Sequence, residues 1–199
     1  MSDSARFSQP QDDNQPQDDS QRLHDHLERL SEEQFQRQMR EAALLLERGK
    51  GKSALPLLER CYALRPDDID VLTNLGGAHI LAGQHRHAIP YLERATELSP
   101  QNPAVWSNLA AAYLGKLVTA TQERQQRAMA AYYRVIELDP AYPSVHYNLG
   151  LIHIDRREWD EAAEAFTQAI ATNPFDNDAR LMLRRVEEIR SQPPNLINN

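Results

Sequence analysis

The sequence predicts an all-α solenoid of about four stacked helix pairs, and two observations carry that prediction. Prolines close four similar phrases, at Pro66 (ALRPDD), Pro100 (ELSPQN), Pro140 (ELDPAY) and Pro174 (ATNPFD), at intervals of 34, 40 and 34 residues. Upstream of each proline, Ala54-x3-Leu58, Ala88-x3-Leu92, Ala128-x3-Tyr132 and Ala162-x3-Phe166 set a small residue and then a large one on one helix face. Each period reads as two amphipathic helices, a unit that cannot bury its apolar face alone and must stack on its neighbours.

Taken in order, residues 1–20 hold five Asp, four Gln, four Ser and two Pro against one Arg. That composition buries too little apolar surface to offset ordering entropy, so an acidic, disordered arm is expected. Residues 21–34 are expected to form a short N-terminal helix or lid, since Leu23, Leu27 and Leu30 make an apolar stripe. Ser31 and Gln34 have capping-box spacing and predict a fresh helix from about residue 32 to Gly49. Asn102-Pro103 and Tyr142-Pro143 each supply a cap-like residue and a proline at the first helical position, and Asp68 and Asp176 are expected to cap their helices similarly. Pro56 and Pro90 occupy equivalent places, so the helices holding them are expected to begin within about one turn upstream.

The third period carries six additional residues within 115–127. Split evenly, they lengthen each helix of that unit by nearly a turn, with Thr121 and Glu123 starting the second, and Leu117 and Val118 stand at the tip of the resulting ridge. Residues 177–191 place Ala179, Met182, Leu183, Val186 and Ile189 on one face, the pattern of a helix that covers a solenoid end, and 192–199 reads as a frayed tail.

Composition narrows the function classes. With 29 acidic against 22 basic side chains the chain of 199 residues carries a net charge of −7, which repels nucleic-acid phosphates and anionic lipid. The single cysteine, Cys61, excludes an internal disulfide and a cysteine zinc cluster. The opening residues lack the apolar core of a signal peptide and no later run reaches ~18 apolar residues, so a cytoplasmic protein without membrane insertion is expected. No Gly-rich phosphate loop, nucleophile elbow or metal-ligand motif is present, so no catalytic residue, metal or cofactor is expected. Asp67-Asp68 and Glu187-Glu188 fall on caps or solvated faces.

From about residue 35 to 176 the chain resembles a tetratricopeptide repeat (TPR) protein. The resemblance rests on Trp106-x2-Leu109-Ala110-x2-Tyr113, Leu72-x2-Leu75-Gly76-x2-His79 and His146-x2-Leu149-Gly150-x2-His153, followed in each unit by the Ala-x3-large phrase and the proline. It implies a right-handed α-solenoid of units 35–68, 69–102, 103–142 and 143–176. The first unit departs most, with Gln38 and Glu41 where the family has large apolar residues. In this frame His79, His146 and His153 stand at packing positions normally held by Tyr, Trp or Leu, and Cys61 and Trp159 are packing residues too.

In the family, the first helix of every unit lines a concave groove. The groove residues implied here are Asn74, Asn108 and Asn148, flanked by Thr73, Ser107 and Tyr147 and by Gly77, Ala111 and Leu151. A carboxamide offers a donor and an acceptor together, matching a peptide bond, and the series resembles the asparagine ladder of O-linked N-acetylglucosamine transferases. The alternative use of these side chains is to hydrogen-bond between adjacent helices.

The dicarboxylate clamp found in other members needs cations that are missing. Its places hold Met39, Ala43, Ala104 and Asn108, with only Asn74 matching, so a strongly acidic C-terminal tail is not the expected partner. The function expected is a non-catalytic adaptor or scaffold binding an extended polypeptide in the groove. The alternatives are an assembly subunit acting through its convex face, its ridge or self-association, and an adaptor whose own residues 21–30 fill the groove.

Overall fold

The computed structural model describes residues 16–191, with side chains at Arg22 and from residue 31 onward. The arm expected over residues 1–15 and the tail over 192–199 lie outside the described residues, as do the side chains of Leu23, Leu27 and Leu30. Among the described residues the chain forms nine α-helices and no strand. They are α1 (Pro16–Glu47), α2 (Gly51–Leu64), α3 (Ile69–Leu81), α4 (His85–Leu98), α5 (Pro103–Leu114), α6 (Gln122–Leu138), α7 (Val145–Asp155), α8 (Trp159–Thr172) and α9 (Asn177–Ser191), with a 3-10 turn at Leu117–Thr119 between α5 and α6. Consecutive helices pack on one another into an all-α solenoid, and α9 closes on α8.

The repeated phrases form the seam. Ala54, Ala88, Ala128 and Ala162 are fully buried, and Leu58, Leu92, Tyr132 and Phe166 are buried beside them. Small residues on the facing helices let the backbones close up. A Cβ built on Gly76 would lie 2.4 Å from Leu92 Cγ, and one on Gly150 would lie 2.7 Å from Phe166 Cζ. Both glycines are therefore required by close packing. The polar departure in the first unit is absorbed locally: buried Gln38 accepts a weak hydrogen bond from Cys61 Sγ at 3.7 Å. Burial pushes the Cys61 thiol up, which keeps it an unreactive core residue.

Three caps are as the sequence predicts. Asp68 accepts from the amides of Asp70 and Val71, Asn102 from that of Ala104, and Asp176 from that of Ala179. Four expectations are corrected. First, α1 runs unbroken through Ser31 and Gln34 and takes in residues 16–20, which the arm was expected to include. No proline or glycine interrupts 17–48, so good helix formers on both sides override an isolated capping-box spacing. Second, α2 and α4 start five residues before Pro56 and Pro90, so each carries the proline inside the helix and forgoes one i→i−4 bond.

Third, α7 begins at Val145, after Ser144 in the left-handed region at φ 63°, and not at Pro143. A tyrosine at 142 has no short side-chain acceptor with which to cap, and Asp139 instead closes a turn by accepting from the Ala141 amide. Fourth, the six extra residues are not shared between the helices of the third unit. α5 has 12 residues against 13 in α3, whereas α6 has 17 against 14 in each of α2, α4 and α8. Gly115 at φ 61° ends α5, and Arg124 Nε donates to the Tyr113 carbonyl at 2.9 Å, clamping that end. Thr121 does cap α6, accepting from the Arg124 amide.

The insertion is thus a turn folded back on the body. Leu117 packs on the core beside α5 and α6, the 3-10 turn approaches α7, and Val118 alone of the two expected tip residues stands out, at 92% exposure.

Candidate functional site

Successive first helices, α1 on α3 and α3 on α5, approach more closely than successive second helices do. An array tighter along one row of helices bends toward that row, so α1, α3 and α5 form its inner wall. The wall is interrupted before α7: α5 and α7 approach less closely than the earlier pairs, and the 3-10 turn of the insertion comes against α7 instead.

The nine residues singled out from sequence separate into two groups, six on α3 and α5 and three on α7. Asn74, Thr73 and Gly77 on α3 and Asn108, Ser107 and Ala111 on α5 are all partly exposed on neighbouring helices. A Cβ at Gly77 would meet nothing within 4 Å, so the wall is open there. The carboxamides of Asn74 and Asn108 make no hydrogen bond to another described residue, and the buried Thr73 Oγ1 also lacks a partner.

The α7 members sit differently. Tyr147 packs edge-on against Phe166, with ring centres 5.6 Å apart, and Tyr147 and Leu151 both join the cluster shared with α8 and α9. The Asn148 carboxamide lies near the Tyr132 hydroxyl of α6; burial pushes that hydroxyl up to about 12, and the carboxamide acts in the opposite direction. Asn148 thus has a polar neighbour on the adjacent helix, whereas the carboxamides of Asn74 and Asn108 keep their donors and acceptors available.

The histidines are bonded within the fold. His79 and His153 are buried, and their Nδ1 atoms lie 2.9 Å from Gln84 Oε1 and 2.7 Å from Glu158 Oε2. Burial alone raises the Glu158 carboxyl, but hydrogen bonds from His153 and Arg156 hold it below the usual carboxylate range. Among the described residues no group of three or more His, Cys, Asp or Glu is arranged to hold a metal ion, and no helix is long and apolar enough to cross a membrane.

Two features were not foreseen. At the outer end of α5 a concavity of about 410 Å³ gathers Arg86, Lys116 and Arg124 with His85 and His87 and no carboxylate, a cationic spot in an acidic chain. A second cavity, of about 300 Å³, lies between α6, α7 and α8. Comparing equivalent positions of the repeats, Tyr91 against Ala165, is the signal that would have located it.

Family profiles described as tetratricopeptide or TPR repeats match residues 72–112, 121–155 and 143–176, which span α3–α5, α6–α7 and α7–α8. The chain is a tetratricopeptide repeat protein. No curated protein sequence matches it significantly.

Solved structures share the TPR fold. The crystal structure of MamA is 22% identical, with 75% of this chain and 84% of that one covered and a TM-score of 0.66. A thermophilic TPR protein of Thermus thermophilus is 22% identical, with 79% and 83% covered and a TM-score of 0.65. The first TPR of Spaghetti (RPAP3), bound to an HSP90 peptide, is 19% identical, with 62% and 96% covered and a TM-score of 0.56.

Proposed function

We propose that the protein is a non-catalytic adaptor that binds an extended polypeptide along the inner wall formed by α1, α3 and α5. The observation that carries this reading is the pair Asn74 and Asn108. Their carboxamides lie on adjacent helices of one open wall, partly buried and without a hydrogen-bond partner among the described residues. Their polar atoms are open to solvent and uncommitted within the fold, and a peptide main chain supplies both the donor and the acceptor that each can use. Gly77 and Ala111 leave room for close backbone approach.

The wall lacks the cations of a carboxylate clamp: Met39 packs in the core beside α2, and Ala43 and Ala104 carry no charge. A strongly acidic tail is therefore a poor fit for this wall. Asn148, on α7 near Tyr132, stands outside this pair.

The test selects peptides from a displayed random library on the full chain and measures their affinity for the Asn74→Ala/Asn108→Ala double variant, with helicity checked by circular dichroism. Binding at least about tenfold weaker in a folded variant is expected, since two hydrogen bonds of about 1 kcal/mol each are lost. Backbone N-methylation of the peptide should weaken binding as well. A folded double variant that binds as tightly as the parent removes the wall from the mechanism.

A further inference from the structure

The cavity of about 300 Å³ lies on the opposite side of α7 from Asn148, Tyr147 and Leu151, because His146, Leu149 and His153, which line it, occupy the other face of that helix. The molecule contains its own control for this space. At the equivalent junction of the first and second units, His79 stacks on Tyr91 with ring centres 5.6 Å apart and planes within 8°, and Tyr62 meets Tyr91 edge-on at 5.4 Å. There the chain's own aromatic rings fill the space between α2, α3 and α4.

At the junction of the third and fourth units the histidine is retained, and so is its tether: His153 is held by Glu158 as His79 is held by Gln84. The rings are gone, since Ala165 stands in the place of Tyr91 and Ile136 in the place of Tyr62, and the cavity is what remains. The intervening junction differs again, because Tyr113 occupies the histidine place and Arg127 lies over its ring at 4.4 Å.

The rim has also changed character. Where the second unit has His87 and Pro90, the fourth has Glu161 and Glu164, both exposed at the mouth, and no Lys or Arg lines the opening. These carboxylates and Glu158 lie near enough to the half-exposed Tyr133 hydroxyl to add to the upward push that burial gives it. The floor of Ile136, Leu149 and Ala165 is apolar. A ring-sized space against an imidazole, under an acidic lip, is complementary to an aromatic side chain carried beside a positive charge.

We propose that this cavity is a docking pocket for an aromatic side chain of a partner protein flanked by basic residues, the ring entering against His153 where Tyr91 lies against His79, and the basic groups resting on Glu161 and Glu164. The site is separate from the inner wall, so the protein would hold two polypeptides on opposite faces. Phe175, the most exposed aromatic among the described residues, is the wrong occupant by charge, as Asp176 and Asp178 follow it closely.

The test titrates the full-length chain with a capped arginine–tyrosine–arginine tripeptide amide and follows the His146 and His153 ring signals by NMR. Saturable shifts are expected. The glutamate–tyrosine–glutamate and arginine–alanine–arginine counterparts should bind at least tenfold more weakly. Ala165→Tyr, which rebuilds the filled arrangement of the second unit, should abolish the shifts. Should that variant fail to fold, Glu161→Gln/Glu164→Gln, made at exposed positions, must still weaken binding severalfold.

No saturable shift, or equal affinity for all three peptides, or unchanged affinity in the folded Ala165→Tyr variant or in the glutamine variant overturns the proposal. Concentration-dependent shifts without any peptide, lost in Ala165→Tyr, would assign the pocket to a second copy of this chain and equally overturn it.

Discussion

The first three repeat units and the junction that follows them are built from the same phrases but joined differently. Between α2 and α3, and between α4 and α5, the second helix of one unit lies closely along the first helix of the next; between α6 and α7 the approach is sparser. The cause lies in the insertion and its neighbours. α6 is three residues longer than its counterparts, Ser144 delays the start of α7, and the 3-10 turn comes against α7. In a solenoid whose stability is a sum of units and interfaces, one weaker interface divides the array into parts that respond separately. The same divide sorts the asparagines, since Asn74 and Asn108 make no bond to another described residue on the near side while Asn148 on the far side lies near the Tyr132 hydroxyl.

The hardest test of that division is Phe166→Ala. Emptying this fully buried position should remove about 3–5 kcal/mol, and hydrogen exchange should show α7–α9 losing protection while α1–α5 keep theirs. Loss of protection along the whole array in one step would mean that the sparse junction does not divide it.

Next come the glycines. Gly76→Ala and Gly150→Ala drive a methyl into Leu92 and Phe166 and should each destabilise by about 1–3 kcal/mol in urea unfolding. Gly77→Ala, with nothing within 4 Å, should be neutral or stabilising by up to about 1 kcal/mol.

A smaller effect probes the tie across the weak junction. Tyr132→Phe removes the hydroxyl that the Asn148 carboxamide approaches and should lower stability by up to about 1 kcal/mol near neutrality. The parent carries an alkaline signature as well. Burial raises the Tyr132 hydroxyl from 10.0 to about 12, so the folded chain retains a proton that the unfolded chain releases. Its contribution is fully present below pH 10 and is lost as pH rises toward about 12. Unfolding monitored across that range should show a shallower loss in the variant. Smallest of all is the insertion pair: Leu117→Ala should cost about 1 kcal/mol and Val118→Asp less than about 0.5, as measured by thermal unfolding.

Much of this could be read along the chain because helical repetition is a local code. The Ala-x3-large phrases, the prolines at 34-residue spacing and the Asp or Asn caps each act within one or two turns, and the folded chain uses them as written. The readings that failed were those in which a local pattern competes with its surroundings. Ser31 and Gln34 are overruled by the helix formers around them, and Tyr142-Pro143 lacks the side chain needed to cap.

The sequence by itself therefore determined the architecture and the packing seam, because those follow from short-range periodicity. Only the tertiary structure decided which asparagines remain free, where the insertion folds, and that a cavity opens beside His153. Each of these depends on what a neighbouring unit places opposite: Tyr132 across from Asn148, α7 against the 3-10 turn, and Ala165 and Ile136 where the second and first units have Tyr91 and Tyr62.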